Sequence, residues 1–159
     1  MRALRTTALA LAGAAGLLGC GTTDVTQARV QRAVGQSFGR LYVAQQALLG
    51  RPGLSAATVA ALASCHRGPG AAARGPGDDW TCDLLWRNAS GQDAAASYEV
   101  AVRADGCYTA TGAPAVIGPQ QLERVGGALV RNPLASFDGC FDTSCAGLAA
   151  RGAQRGTRP

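Results

Sequence analysis

From Val30 onward, apolar residues return at helical spacing: Val30, Val34, Phe38, Leu41 and Leu48, with Gln45 the one polar member of the row. Arg29, Arg32, Gln36 and Arg40 fall largely off that stripe. The spacing predicts an amphipathic helix. Asp24 or Thr26 can cap its start, and Asp24 with Gln27 approximates a capping box. Gly35 and Gly39 weaken it slightly, and Gly50, just before Pro52, ends it. Ser55 can cap a second, short helix over residues 56–63.

The period then changes to two. Over residues 80–86, Cys82, Leu84 and Trp86 share one face, and Thr81, Asp83 and Leu85 share the other, as a half-buried strand requires. Residues 88–93 are turn formers. Residues 97–103 alternate again, with Tyr98, Val100 and Val102 inward and Glu99 and Arg103 outward. Asp105-Gly106 is a two-residue hairpin signal, with a return strand over 107–111. Residues 112–118 read as loop. Within 119–134, residues 121–129 fit either a short helix or a strand pair broken by Gly126-Gly127, and 137–141 fit a last strand. The expected class is α+β: an N-terminal amphipathic helix, plus a short second one, packed on a small antiparallel sheet whose inward face is Leu84, Trp86, Tyr98, Val100 and Val102. A cystatin-like or similar wrapped fold is the nearest analogy.

Before this body lies a three-part leader. Arg2 and Arg5 are followed by an uncharged Ala, Leu and Gly run over residues 8–18, then Cys20. That is the layout of a secretory signal peptide. The apolar run is about half of the roughly 20 residues that span a bilayer. Leu17-Leu18-Gly19-Cys20 resembles the lipobox of bacterial lipoproteins, although a small residue is commoner at the place of Leu18. The resemblance implies cleavage before Cys20 and a diacylglyceryl group on its thiol. Two acyl chains suffice for stable anchoring where one would not. The expected plan is a lipoprotein signal peptide at 1–19, lipidated Cys20 and a short tether through 27, a single domain over 28–145, and a disordered Arg-containing tail over 146–159. The expected location is the extracytoplasmic face of the cell membrane, with the membrane itself as partner through the lipid on Cys20.

Charge narrows the partners further. All 15 basic residues are Arg, against 10 acidic ones, for a net +5. Without Arg2 and Arg5 the balance is thirteen to ten, and residues 20–150 hold ten of each. A neutral body is poor ground for nucleic-acid binding, which uses a clustered basic face.

The cysteines stand at 20, 65, 82, 107, 140 and 145. With Cys20 acylated, five thiols remain in a compartment that permits disulfides. The preferred pairing is Cys65–Cys82, closing a loop with two Gly-Pro-Gly turns, and Cys107–Cys140, leaving Cys145 unpaired. In this reading Cys65 ends the second helix and Cys82 starts a strand. The chain-entropy model assigns about 3 kcal/mol to the first closure and about 4 to the second. Asp105-Gly106-Cys107-Tyr108 and Asp138-Gly139-Cys140-Phe141 echo one another, which reads as two similar strand starts and favours the second link. Spacing alone leaves Cys140–Cys145 open as a competitor. The absence of any C-x2-C pair argues against zinc.

No Walker motif, dinucleotide fingerprint or H-E-x-x-H occurs. The single histidine, His66, follows a cysteine assigned to a disulfide, so a Cys/His dyad is not expected. It reads as a solvated loop histidine. Asp78-Asp79 could meet a cation but fit a turn entering a strand better, and the same holds for Asp138 and Asp142. No catalytic set, metal site or cofactor is expected.

The segments Phe38-Gly-Arg-Leu-Tyr-Val-Ala-Gln-Gln46, Gly75-Pro-Gly-Asp-Asp-Trp-Thr-Cys82, Asp105-Gly-Cys-Tyr108 and Asn132-Pro-Leu-Ala-Ser-Phe-Asp-Gly-Cys140 together resemble a family of small actinobacterial (Streptomyces-type) lipoproteins of unknown function. The resemblance implies location and fold and carries no active site. Three functional classes remain as expectations. A non-catalytic accessory or binding module of the envelope, with an envelope protein as partner, comes first. A small-ligand carrier with a pocket between helix and sheet comes second, and a hydrolase last.

Overall fold

Thr26 opens the first helix, α1 (Gln27–Leu48), its hydroxyl accepting from Arg29 N at 3.4 Å. The N-cap is therefore Thr26 and not Asp24. In this computed structural model residues 24–141 are described; Cys20, Cys145, the leader and the tail lie outside them. The buried side of α1 is Val30, Val34, Gly35, Phe38, Gly39, Tyr42, Gln45 and Gln46. Leu41 and Leu48, expected on the stripe, are only half-buried, and Tyr42 takes the inward place instead. Its ring stacks with Phe38 and tilts against Trp86.

A short helix α2 (Ala56–Val59) follows, with a full capping box between Ser55 and Thr58. It ends four residues sooner than expected, because Ala60 turns left-handed at φ 47°. The chain then enters β1 (Leu62–Arg67). Cys65 thus sits in a strand, not at a helix end, and His66 is a strand residue too. The remaining strands are β2 (Gly77–Arg87), β3 (Asp93–Val102), β4 (Cys107–Gly112), β5 (Gln121–Glu123), β6 (Leu129–Arg131) and β7 (Ser136–Cys140), with a one-turn helix α3 (Pro114–Ile117) after β4. Residues 112–118 therefore hold a helical turn that Pro114 starts at its first position. The ambiguous stretch after it is a strand pair, β5 with β6.

Five strands form one antiparallel sheet in the order β1-β2-β3-β4-β7. Its inward face is Trp80, Leu84, Trp86, Tyr98, Val100 and Val102, all buried. The α+β class and the helix-on-sheet packing expected from the pattern are thus observed. Five strands at roughly 4.8 Å spacing span about 19 Å, against a helix about 10 Å wide. Yet α1 reaches both edges. Gln27 and Gln31 donate to the carbonyls of Cys65 and Ala63 on β1. On the far side, Tyr108 of β4 donates to Ala33 O, and Arg29 lies over the ring of Phe141, just beyond β7. The sheet therefore curls around α1, and the helix glutamines satisfy the outer carbonyls of an edge strand that would otherwise template pairing.

Both expected disulfides are present, Cys65–Cys82 and Cys107–Cys140. Each joins residues directly opposite in a ladder, β1 with β2 and β4 with β7. Each edge strand is thus tied covalently to its neighbour.

Two turn readings change. The β3–β4 connection is a turn over Arg103–Gly106, with Gly106 N donating to Arg103 O and Arg103 N to Cys107 O. Asp105-Gly106 fill its last two places rather than the central pair of a two-residue loop. Gly106 is left-handed at φ 80°, and the Asp105 carboxylate takes the Cys107 N–H. The second half of the echo is different again. Gly139 lies inside β7 opposite Tyr108, and Cys140 ends that strand. Only the first Asp-Gly-Cys begins a strand.

Candidate functional site

The residues singled out for chemistry do not converge. His66 projects from the outer face of β1, its Nδ1 3.9 Å from Asp83 Oδ2, both more than half exposed. Its neighbour Cys65 is fully buried in a disulfide. Asp79 is engaged by Arg67, whose Nε lies 2.8 Å from Oδ1. That hydrogen bond holds the Asp79 carboxyl below the usual carboxylate range. The Cys107 backbone N–H does the same for Asp105. Asp138 accepts from Thr109 at 2.6 Å. Among the described residues, no three His, Cys, Asp or Glu side chains gather at one point.

Arg67, which the sequence reading passed over, organises the Gly-Pro loop. It also donates to Arg74 O at 2.7 Å and lies over the Trp80 ring. Gly75 N and Ala73 O bond in turn to Val25 and Gln27. The loop is thus fastened to the start of α1.

The built site lies at the opposite end of that helix. Gln45, the polar exception on the stripe, is 4% exposed, and Asn132 is fully buried. Gln45 Nε2 donates to Ile117 O and to Asn132 Oδ1, each at 2.9 Å. Asn132 Nδ2 donates to Ile117 O and Pro119 O, while its Oδ1 also accepts Leu134 N. Gln46 Nε2 donates to Gln45 Oε1 at 3.1 Å, and Arg51 Nη1 donates to Gln46 Oε1 at 3.3 Å. An amide relay therefore runs from the protein surface at Arg51 to the core at Asn132. Such a network fixes its members because each unmade bond would leave a buried polar group unpaired.

Beside the relay is a pocket of about 250 Å³, walled by α1, the β2–β3 turn and α3. Tyr42, Gln46, Arg51, Trp86, Asn88 and Ser90 form its polar side, and Val116, Ile117 and Leu134 its apolar side. Trp86 is 4% exposed, and its indole N–H is the one buried side-chain polar atom among the described residues without a hydrogen-bond partner. Gln45 was the only signal of this site in the sequence. Arg51 and Trp86 carried none, because they meet only when β2 crosses the end of α1.

A second concavity, about 420 Å³, runs along the outer side of α1 between Arg32, Arg40 and Cys140-Phe141. No helix among the described residues is long and apolar enough to cross a membrane. No family model matches the chain, and no curated protein or solved structure matches it either.

Proposed function

We propose that this chain is a lipid-anchored extracytoplasmic protein whose body is a non-catalytic accessory or binding module of the cell envelope. The observation that carries this reading is the pair of cross-strand disulfides, one at each edge of the sheet. Disulfides of this structural kind persist in oxidising compartments, which agrees with the secretory and lipobox pattern ending at Cys20. The actinobacterial lipoprotein resemblance points the same way. In cells fed a labelled fatty acid, the protein takes up label and sediments with membranes, and Cys20→Ser loses both properties. Unlabelled protein with free thiols in the cytosol overturns the reading. Crosslinking on intact cells recovers one dominant envelope partner, and recovery of none across several growth conditions counts against the binding-module role.

The pocket at the end of α1 supports a second reading, a small-ligand carrier. It is a cavity of about 250 Å³ with polar groups on one side and hydrocarbon on the other, the mixed lining expected of a ligand site. Native mass spectrometry then shows a retained small molecule. A hydrolase has the least support: among the described residues, His66 faces Asp83 and Asp79 faces Arg67.

A further inference from the structure

The pocket beside the amide relay is unequal in its hydrogen-bonding groups. Tyr42 Oη accepts from Ala89 N at 3.0 Å, so its own proton remains to be given. Asn88 Oδ1 accepts from Ser90 N and Gln92 N, leaving its amide N–H groups over. Arg51 spends one N–H on Gln46 and has no carboxylate partner among the described residues. The Trp86 ring lines the same space, but its N–H, which has no acceptor among the described residues, is sealed from it. Among the described residues, no Asp or Glu lines the space.

Donors without acceptors are costly when desolvated, and a guanidinium without a counter-ion is a natural partner for a planar carboxylate. The opposite wall is hydrocarbon, from Ile117 and Leu134. A space of about 250 Å³ lies just under the roughly 300–1,000 Å³ of drug-sized sites. We propose that this pocket binds a small amphipathic carboxylate of about a dozen heavy atoms, its carboxylate at Arg51 and the donors of Tyr42 and Asn88, its apolar part against Ile117 and Leu134. This deepens the ligand-carrier reading and does not depend on the lipid anchor.

The two tryptophans make the test internal. The Trp80 N–H is bonded to Gly75 O, beside the Gly-Pro loop and outside this pocket. The intact protein, purified in a neutral detergent, is titrated with 3-phenylpropionate while the two indole N–H resonances are followed. The Trp86 signal shifts and saturates, because its ring lines the space, and the Trp80 signal stays. Arg51→Gln weakens binding about tenfold or more, as loss of a charge-assisted hydrogen bond should, while Arg74→Gln, in the Gly-Pro loop at the other end of α1, changes nothing. The uncharged 3-phenylpropanamide has the same shape and binds at least about tenfold more weakly. Equal binding of acid and amide, or indifference to Arg51→Gln, overturns the carboxylate assignment and leaves a ligand pocket of another kind. No saturable movement of Trp86 with either probe up to about 10 mM (a binding energy below roughly 3 kcal/mol) overturns the assignment. Absence of any retained molecule in native mass spectra then removes the carrier reading as well.

Discussion

Two glycines with ordinary negative φ show how much depends on what a single carbon would meet. At Gly39 in α1, an added Cβ would stand 3.5 Å from the Ala61 Cβ, an ordinary contact. Gly39→Ala therefore gains helix propensity at no packing cost and raises stability by about 0.5–1 kcal/mol in urea unfolding. At Gly139 in β7, the Cβ would fall 2.6 Å from Cζ of the Tyr108 ring, which lies across the glycine. Gly139→Ala lowers stability by about 1–3 kcal/mol, because a well-packed ring must move. A loss at Gly39 or a neutral result at Gly139 would contradict this packing. Tyr98 supplies a pH signature. Its ring is fully buried, its hydroxyl donates to Leu134 O at 2.9 Å, and burial raises its pKa. Below about pH 10 both folded and unfolded chains keep this proton, so its contribution is fully present. Above that pH the unfolded chain releases the proton first, and stability falls by up to about 1.4 kcal/mol per pH unit. Urea midpoints of Tyr98→Phe fall less steeply between pH 10 and 11.5 than those of the parent protein; parallel slopes would refute the assignment.

At the scale of elements, the long helix and the central strands were legible because each buries one face and shows its period undiluted. Tyr98, Val100 and Val102 alternate as read, and all are buried. Strand β1 was not legible. It has exposed Leu62 and His66 and half-buried Ala63, with only Cys65 fully buried. Its strand character comes from pairing with β2 on one side and from Gln27 and Gln31 of α1 on the other, neither visible locally. The pair β5–β6 is three residues per strand, too short to establish a period against Gly126-Gly127. Cysteine pairing could be anticipated from loop closure, but not the inequality between the two bonds. Cys65 and Cys82 are both fully buried, whereas Cys107 is half-buried and Cys140 exposed. Thiol–disulfide exchange needs access to a sulfur. Mild reductant followed by alkylation and peptide mapping therefore labels Cys107 and Cys140 well before Cys65 and Cys82. Simultaneous or reversed labelling would mean that the β1–β2 side opens first.

Over the described residues, the five-stranded sheet curls on α1, with both of its edges stapled and the Ala63 and Cys65 carbonyls of β1 satisfied by glutamine. Among the described residues, the core begins at Val25, and α1 is capped by Thr26. The pocket at the far end of α1 was only hinted at by Gln45, since Arg51, Trp86 and Leu134 reach it from three other segments of the chain. What unites fold and proposed role is the compartment. The proposed acylation of Cys20 and the four thiols oxidised in pairs both belong on the outer side of a membrane. Intact-mass spectrometry of the membrane-extracted protein, with and without reduction, weighs both at once. The account predicts a chain that starts at Cys20, carries a diacylglyceryl group, and gains four hydrogens when Cys65–Cys82 and Cys107–Cys140 are reduced. A chain that still carries Met1–Gly19, without lipid and already reduced, would contradict it.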